Sequence, residues 1–139
     1  MVLEVSQVLS TVIGILILLS TLSITASLER VVLNQSEREV AQEVAIQVLR
    51  SVLDASEGRG TGESVIGLDL PQNIGGRSYS IVLKGENRTI AVLVIRDGDT
   101  LERLVMEVPY PIDADSVTGG GRRCLVVEKT DGKVFARLE

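Results

Sequence analysis

Val5-Ser-Gln-Val-Leu-Ser-Thr-Val-Ile-Gly-Ile-Leu-Ile-Leu-Leu-Ser-Thr-Leu-Ser-Ile-Thr-Ala-Ser-Leu28 contains no charged side chain and lies almost at the start of the chain. As an α-helix it extends roughly 36 Å, enough to cross the hydrocarbon core of a bilayer. Its apolar centre is Val12 to Leu19, and each Leu, Ile or Val favours insertion by about 0.3–0.6 kcal/mol. Such a segment requires an apolar medium, either lipid or other copies of itself.

The flanks of this stretch are unusual. Met1-Val-Leu-Glu4 carries no positive charge, and the first basic residue is Arg30. A secretory signal peptide would open with basic residues. By the excess of positive charge on the cytoplasmic side, the C-terminal part would stay in the cytoplasm. Asn34-Gln-Ser36 and Asn87-Arg-Thr89, however, match the N-glycosylation acceptor pattern, which suits an exterior domain. The two readings agree if a short basic leader preceded Met1 and has been removed.

No Pro or Gly interrupts the chain from Ile15 to Glu57, so one helix is expected to continue to about Ser56. Its second half is amphipathic. Val40, Val44 and Val48 recur every four residues with Ala41, Ala45, Leu49 and Val52 beside them, while Arg38, Glu39, Gln42, Glu43 and Arg50 face away. Gly58-Arg-Gly-Thr-Gly62 is expected to stop the helix. The expected organisation is an apolar helix over 1–30, an amphipathic continuation over 31–57 and a β domain over 58–139.

Within the first half, Ser6, Ser10 and Gly14 stand at i, i+4 and i+8. Ser20, Ser23 and Ser27, with Thr21 and Thr25, are read as continuing a hydroxyl-bearing band. Small residues let helices approach closely, and hydroxyls bond across an interface or back to the carbonyl four residues earlier. Glu4, Ser6, Ser10, Gly14, Leu18, Thr21 and Thr25 form the candidate helix-packing set. Glu4 either sits in a polar interface near the positive end of the helix dipole or pairs with a neighbouring subunit's α-amino group.

Beyond the glycines the periodicity changes from helical to strand-like. Strands are expected at about Ser64–Leu70, Ser78–Lys84, Thr89–Ile95, Thr100–Val108, Arg123–Lys129 and Lys133–Leu138, forming a small antiparallel sheet. Gly85-Glu-Asn-Arg88, Asp97-Gly98 and Asp131-Gly132 read as hairpin turns. The irregular spacing of Leu101, Leu104 and Met106 predicts a bulge near Arg103. The first and last strands are expected at the sheet edges, with Pro109–Arg122 as a long contact loop. The amphipathic helix would lie across the sheet and complete a thin core. The fold class is therefore α+β.

Composition narrows the chemistry. The chain has 139 residues, a net charge of −5, no histidine, one cysteine and 2% aromatic residues. Scattered basic residues argue against nucleic-acid binding. Without histidine, the usual His/Cys zinc sites and the usual activation of Cys124 are missing. Cys124 reads as a buried small hydrophobe. Gly119-Gly-Gly121 lacks the Gly-Lys-Ser/Thr ending of a phosphate loop and leads into a strand. Asp97, Asp99 and Glu102 resemble sparse calcium ligands but fit a solvated hairpin tip better; Asp113 and Asp115 call for the same caution. No base, nucleophile and oxyanion site assemble, so neither enzyme activity nor a cofactor is expected.

An apolar N-terminal helix that continues as an amphipathic one into a small β domain resembles the type IV pilin superfamily, including archaeal pilins and archaellins. The stretch that carries the resemblance is Val2-Leu-Glu-Val-Ser-Gln-Val-Leu-Ser-Thr-Val-Ile-Gly-Ile-Leu-Ile-Leu-Leu19. Many bacterial members carry a glutamate at the fifth mature position, where this chain has Val5 and Glu4 is adjacent. Few aromatics, no disulfide and two glycosylation patterns look more archaeal. The resemblance implies a leader peptidase and pilus assembly machinery as partners, insertion in the membrane before assembly, and a homo-oligomeric helical filament with its helices in the core. It also implies glycans on the outer surface, at Asn87 and less directly at Asn34. The implied role is an extracellular structural subunit for adhesion or similar surface contact. The alternative is a membrane-anchored accessory protein, such as a minor pilin, pseudopilin or envelope-bound stator, acting through its β domain.

Overall fold

The computed structural model describes residues 2–57 and 61–139. Helix α1 spans Val2–Glu57 without a break, as a run with Gly14 as its only glycine and no proline allows. Met1 lies outside the described residues, as do Gly58, Arg59 and Gly60 of the expected helix stop. Seven strands follow: β1 (Gly62–Asp69), β2 (Ser80–Glu86), β3 (Thr89–Arg96), β4 (Asp99–Glu107), β5 (Ile112–Gly119), β6 (Arg122–Thr130) and β7 (Lys133–Leu138). The chain divides between Ser36 and Glu37 into two compact units. The first holds helix alone. The second holds the last part of α1 and every strand, in an α+β arrangement of helix packed on sheet.

The strands form one sheet in the order β1-β6-β7-β5-β2-β3-β4. All neighbours are antiparallel except β5 and β7, which run parallel. Two expectations are corrected here. The segment Pro109–Arg122 is not a long loop: it contains β5, seated between β7 and β2. The last strand is not an edge either, since β7 lies between β6 and β5. Pro109, Pro111 and the three glycines mask a strand whose alternation is nevertheless present, with Ile112 and Ala114 inward and Asp113 and Asp115 outward. β1 is an edge as expected, and β4 is the other.

Asp97-Gly98 and Asp131-Gly132 both adopt positive φ at their two central residues, the geometry whose twist suits a two-residue hairpin. At the β2–β3 hairpin Gly85 and Glu86 belong to β2, and Asn87-Arg88 make the turn, with Asn87 at φ 56°. The register between β3 and β4 shifts between Val94 and Ile95, leaving Leu101 unpaired. This is the bulge expected near Arg103.

One face of the sheet carries the core: Leu68, Ile81, Leu83, Ile90, Val92, Val94, Ile112, Leu125, Val127, Val134 and Leu138 are buried. Ala41, Val44, Ala45, Val48 and Val52 of α1 are fully buried in the same cluster, while Arg38, Glu39, Gln42, Glu43 and Arg50 are exposed. The small Ala41 and Ala45 between valines give the helix a low surface against the sheet. At the start of this unit Arg96 donates to the Glu37 carboxylate at 2.7 Å and to the Ile74 carbonyl at 2.9 Å. At its far end Ser56 is buried, bonding the Leu53 carbonyl and the Tyr110 hydroxyl.

Candidate functional site

Every residue of the packing set lies on α1, and the whole apolar window of that helix is unburied. Val5, Leu16, Ile17, Leu18 and Leu22 are 58–67% exposed, values typical of side chains on a bare helix. Among its described side chains, the unit spanning residues 2–36 thus buries no apolar residue. The helix is long and apolar enough to cross a membrane.

Helical geometry, about 100° per residue, decides which of the set share a side. Ser10, Gly14, Leu18, Thr21 and Thr25 fall within an arc of roughly 80°, and Glu4 lies within about 40° of its edge. Gln7 and Thr11 fall on or beside this stripe, although a pattern of small residues at a spacing of four does not include them. Glu4, Gln7, Val8, Thr11 and Val12 line a shallow depression on the helix. Ser6 stands at the opposite margin. Ser20, Ser23 and Ser27 do not continue the band: the same arithmetic places them on another side, because a spacing of three reverses the drift produced by a spacing of four.

The hydroxyls on this helix are largely satisfied within it. Thr11 donates to the Gln7 carbonyl at 2.9 Å, Ser20 to Leu16 at 2.8 Å, Thr21 to Ile17 at 2.8 Å, Thr25 to Thr21 at 2.9 Å and Ser27 to Ser23 at 3.0 Å. Back-bonding of this kind lets a hydroxyl enter an apolar medium without a partner from another chain. Gly14 differs. A Cβ built there meets nothing within 4 Å, so no contact among the described residues accounts for a glycine that weakens a helix interior by about 1 kcal/mol relative to alanine.

The two glycosylation patterns stand in different settings. Asn87 and Thr89 are exposed at a hairpin tip, where the Asn87 carbonyl accepts from the Ile112 amide at 2.7 Å. Asn34 and Ser36 are exposed but lie within α1.

The remaining candidates resolve structurally. Cys124 is exposed, not buried, because Leu125 and Val127 take the inward positions of β6 and alternation turns Cys124 outward. Asp97 accepts from Arg77 at 2.8 Å at a solvated turn, both side chains being more than half exposed. Asp113 and Asp115 face outward beside Lys84, Glu86 and Asn87 in an open groove of about 740 Å³. Among the described residues no group of three His, Cys, Asp or Glu side chains stands close enough to hold a metal ion. In the triple glycine, Gly119 and Gly120 accept from the Arg123 Nε at 3.1 and 3.2 Å, and Gly121 donates to the Pro71 carbonyl. A Cβ on Gly120 would stand 2.4 Å from the Pro71 oxygen and 2.6 Å from the Tyr79 ring. Those glycines close the sheet's end around Tyr79.

Comparison of the chain with protein-family models, with curated proteins and with solved structures gives no match.

Proposed function

We propose that this chain is the structural subunit of an extracellular filament like a type IV pilus, held together by its N-terminal helices and serving surface contact. The observation that carries this reading is an apolar helix with an unburied window and an unexplained glycine at its centre. Before assembly, lipid surrounds Val5–Leu28. On assembly, neighbouring helices replace it, and Gly14 with Ser10 allows close approach. The helix packed on the sheet keeps the β domain folded while residues 2–36 change environment. Asn87 then presents a glycan acceptor at an exposed turn.

One observation favours the second reading, a membrane-anchored accessory protein. Five hydroxyls of the apolar stretch Val5–Leu28 bond back to their own backbone and so need no neighbouring helix. The two readings separate by electron microscopy of material sheared from the cells that make the protein, with mass spectrometry to identify the subunit. Filaments composed of this chain establish the first reading. Recovery only from detergent-extracted membranes, without filaments, selects the second.

A further inference from the structure

The two ends of the sheet are open, and they are complementary. β1 has no proline, no bulge and no charge between Glu63 and Asp69. Among the described residues no strand pairs with its outer side. Exposed edges are usually blunted by a bulge, a proline or an inward charge, because a bare one templates pairing with another chain. β4 is blunted at its start, where Leu101 is unpaired and Glu102, opposite the buried Val94, places a charge on the core side; pairing with β3 is regular from Glu102 to Glu107. The core is thinly covered at both ends. Met106 is 43% exposed, and Leu104 and Ile66 are half-buried.

We propose that β1 of one copy pairs antiparallel with β4 of a neighbouring copy, joining their sheets edge to edge. The register follows from faces and charges. Ile66 and Leu68 lie on the core side of β1, and Leu104 and Met106 on the core side of β4. Setting Leu68 opposite Leu104 and Ile66 opposite Met106 continues one apolar face across the junction. The same register sets Asp69 opposite Arg103 on the outer face, and neither forms an ion pair among the described residues. Sliding two residues one way sets Glu63 against Glu107. Sliding two the other way sets Asp69 against Val105 and loses the ion pair. Pairing β1 with β1 about Ile66 opposes Glu63 and Asp69. Unlike charges directly opposite stabilise a ladder and like charges destabilise it, which favours this register of β1 on β4. Pairing β4 against β4 with Arg103 opposite Glu107 also matches charges, but it leaves β1 bare in every pair, whereas β1 against β4 covers both open edges. Each copy offers both edges, so the contact is head-to-tail and propagates. It presupposes copies in contact, as in the filament proposed above, but uses no residue of the apolar helix.

Cysteine cross-linking of the full chain tests it, in a Cys124→Ser background. Residues directly opposite in an antiparallel pair have Cα atoms about 4.5–5.5 Å apart, within disulfide reach. Asp69→Cys combined with Arg103→Cys should give a ladder of covalent dimers, trimers and longer species under a mild oxidant. Asp69→Cys with Glu107→Cys, displaced by about 13 Å along the strand, should give little product. On a Gly67→Cys, Val105→Cys probe, Asp69→Arg or Arg103→Asp alone should lower the yield roughly two- to fivefold, and both together should restore it.

The experiment is run on sheared filaments and on membranes. Filaments visible by microscopy that yield no ladder would overturn edge pairing and leave the helix-core filament standing. A ladder in membranes from cells without filaments would keep edge pairing and remove the filament. Equal cross-linking of Glu63→Cys with Asp69→Cys, in chains that keep Arg103, would overturn the register in favour of β1 against β1, and equal cross-linking of Val105→Cys alone would overturn it in favour of β4 against β4. No ladder in either preparation overturns it outright.

Discussion

At Gly120 a side chain would collide with the Pro71 carbonyl oxygen and the Tyr79 ring, and the ring cannot retreat freely because its hydroxyl donates to that same carbonyl at 2.5 Å. Gly120→Ala should therefore destabilise the fold by about 1–3 kcal/mol, read from urea unfolding in detergent. Gly67→Ala, whose Cβ enters open space on an extended strand, is the matched control and should stay within about 0.5 kcal/mol of the parent. A second residue-scale prediction concerns Glu37. The Arg96 guanidinium, bonded to its carboxylate, holds that carboxyl below the usual carboxylate range. A depressed carboxyl contributes stability above the unfolded pKa of about 4.3, and loses it as pH falls through the lower folded value. The stability difference between the parent and Glu37→Gln should accordingly be full at neutral pH and shrink below about pH 4. A difference that stays constant into acid would show that the pair adds nothing to stability. Both effects were illegible in the sequence. Glu37 and Arg96 are 59 positions apart, and nothing local marks Gly120 as different from its two glycine neighbours.

At the scale of the element, α1 presents two kinds of surface under one periodicity. Between Glu37 and Glu57 the stripe Ala41, Val44, Ala45, Val48 and Val52 is buried. Val48→Ala should cost about 2 kcal/mol of stability through lost burial and the cavity left behind, whereas Gln47→Ala on the exposed side should change it by less than about 0.5 kcal/mol. Urea titration of the two variants checks the contrast. In residues 2–36, Gly14→Leu fills space that is empty around an isolated chain. Membrane insertion should be unchanged, and filament yield should fall about tenfold if a neighbouring helix occupies that space. Wild-type filament carrying this substitution would remove Gly14 from the packed core. Helical faces were legible because a period near 3.6 is set by neighbours within one turn.

For the whole molecule, the governing fact is an apolar helical window that is unburied among the described residues. Leu16→Asp, at the centre of that segment, should oppose membrane insertion by roughly 3 kcal/mol. This corresponds to a partition coefficient into liposomes more than a hundredfold lower, while the urea midpoint of the sheet-bearing unit stays the same. Flotation on a density gradient measures the first, and unfolding of the same sample measures the second. If the variant still floats with the lipid, the segment is not what holds this protein in a membrane.

The sequence by itself determined the elements: one helix from its lack of breakers, two helical surfaces from their periodicity, and strands from alternation bounded by Asp-Gly turns. These depend on contacts between near neighbours, so a linear pattern contains them. It did not determine β5, the parallel pairing of β5 with β7, the edge position of β4 or the outward turn of Cys124. Those follow from which strands lie side by side, and strand order is decided by pairings between distant residues that compete for one core. Pro109, Pro111 and three glycines made β5 read as loop, yet an interior slot between β7 and β2 supplies both ladders it needs. The chain's open sheet ends emerge only when that arrangement is complete.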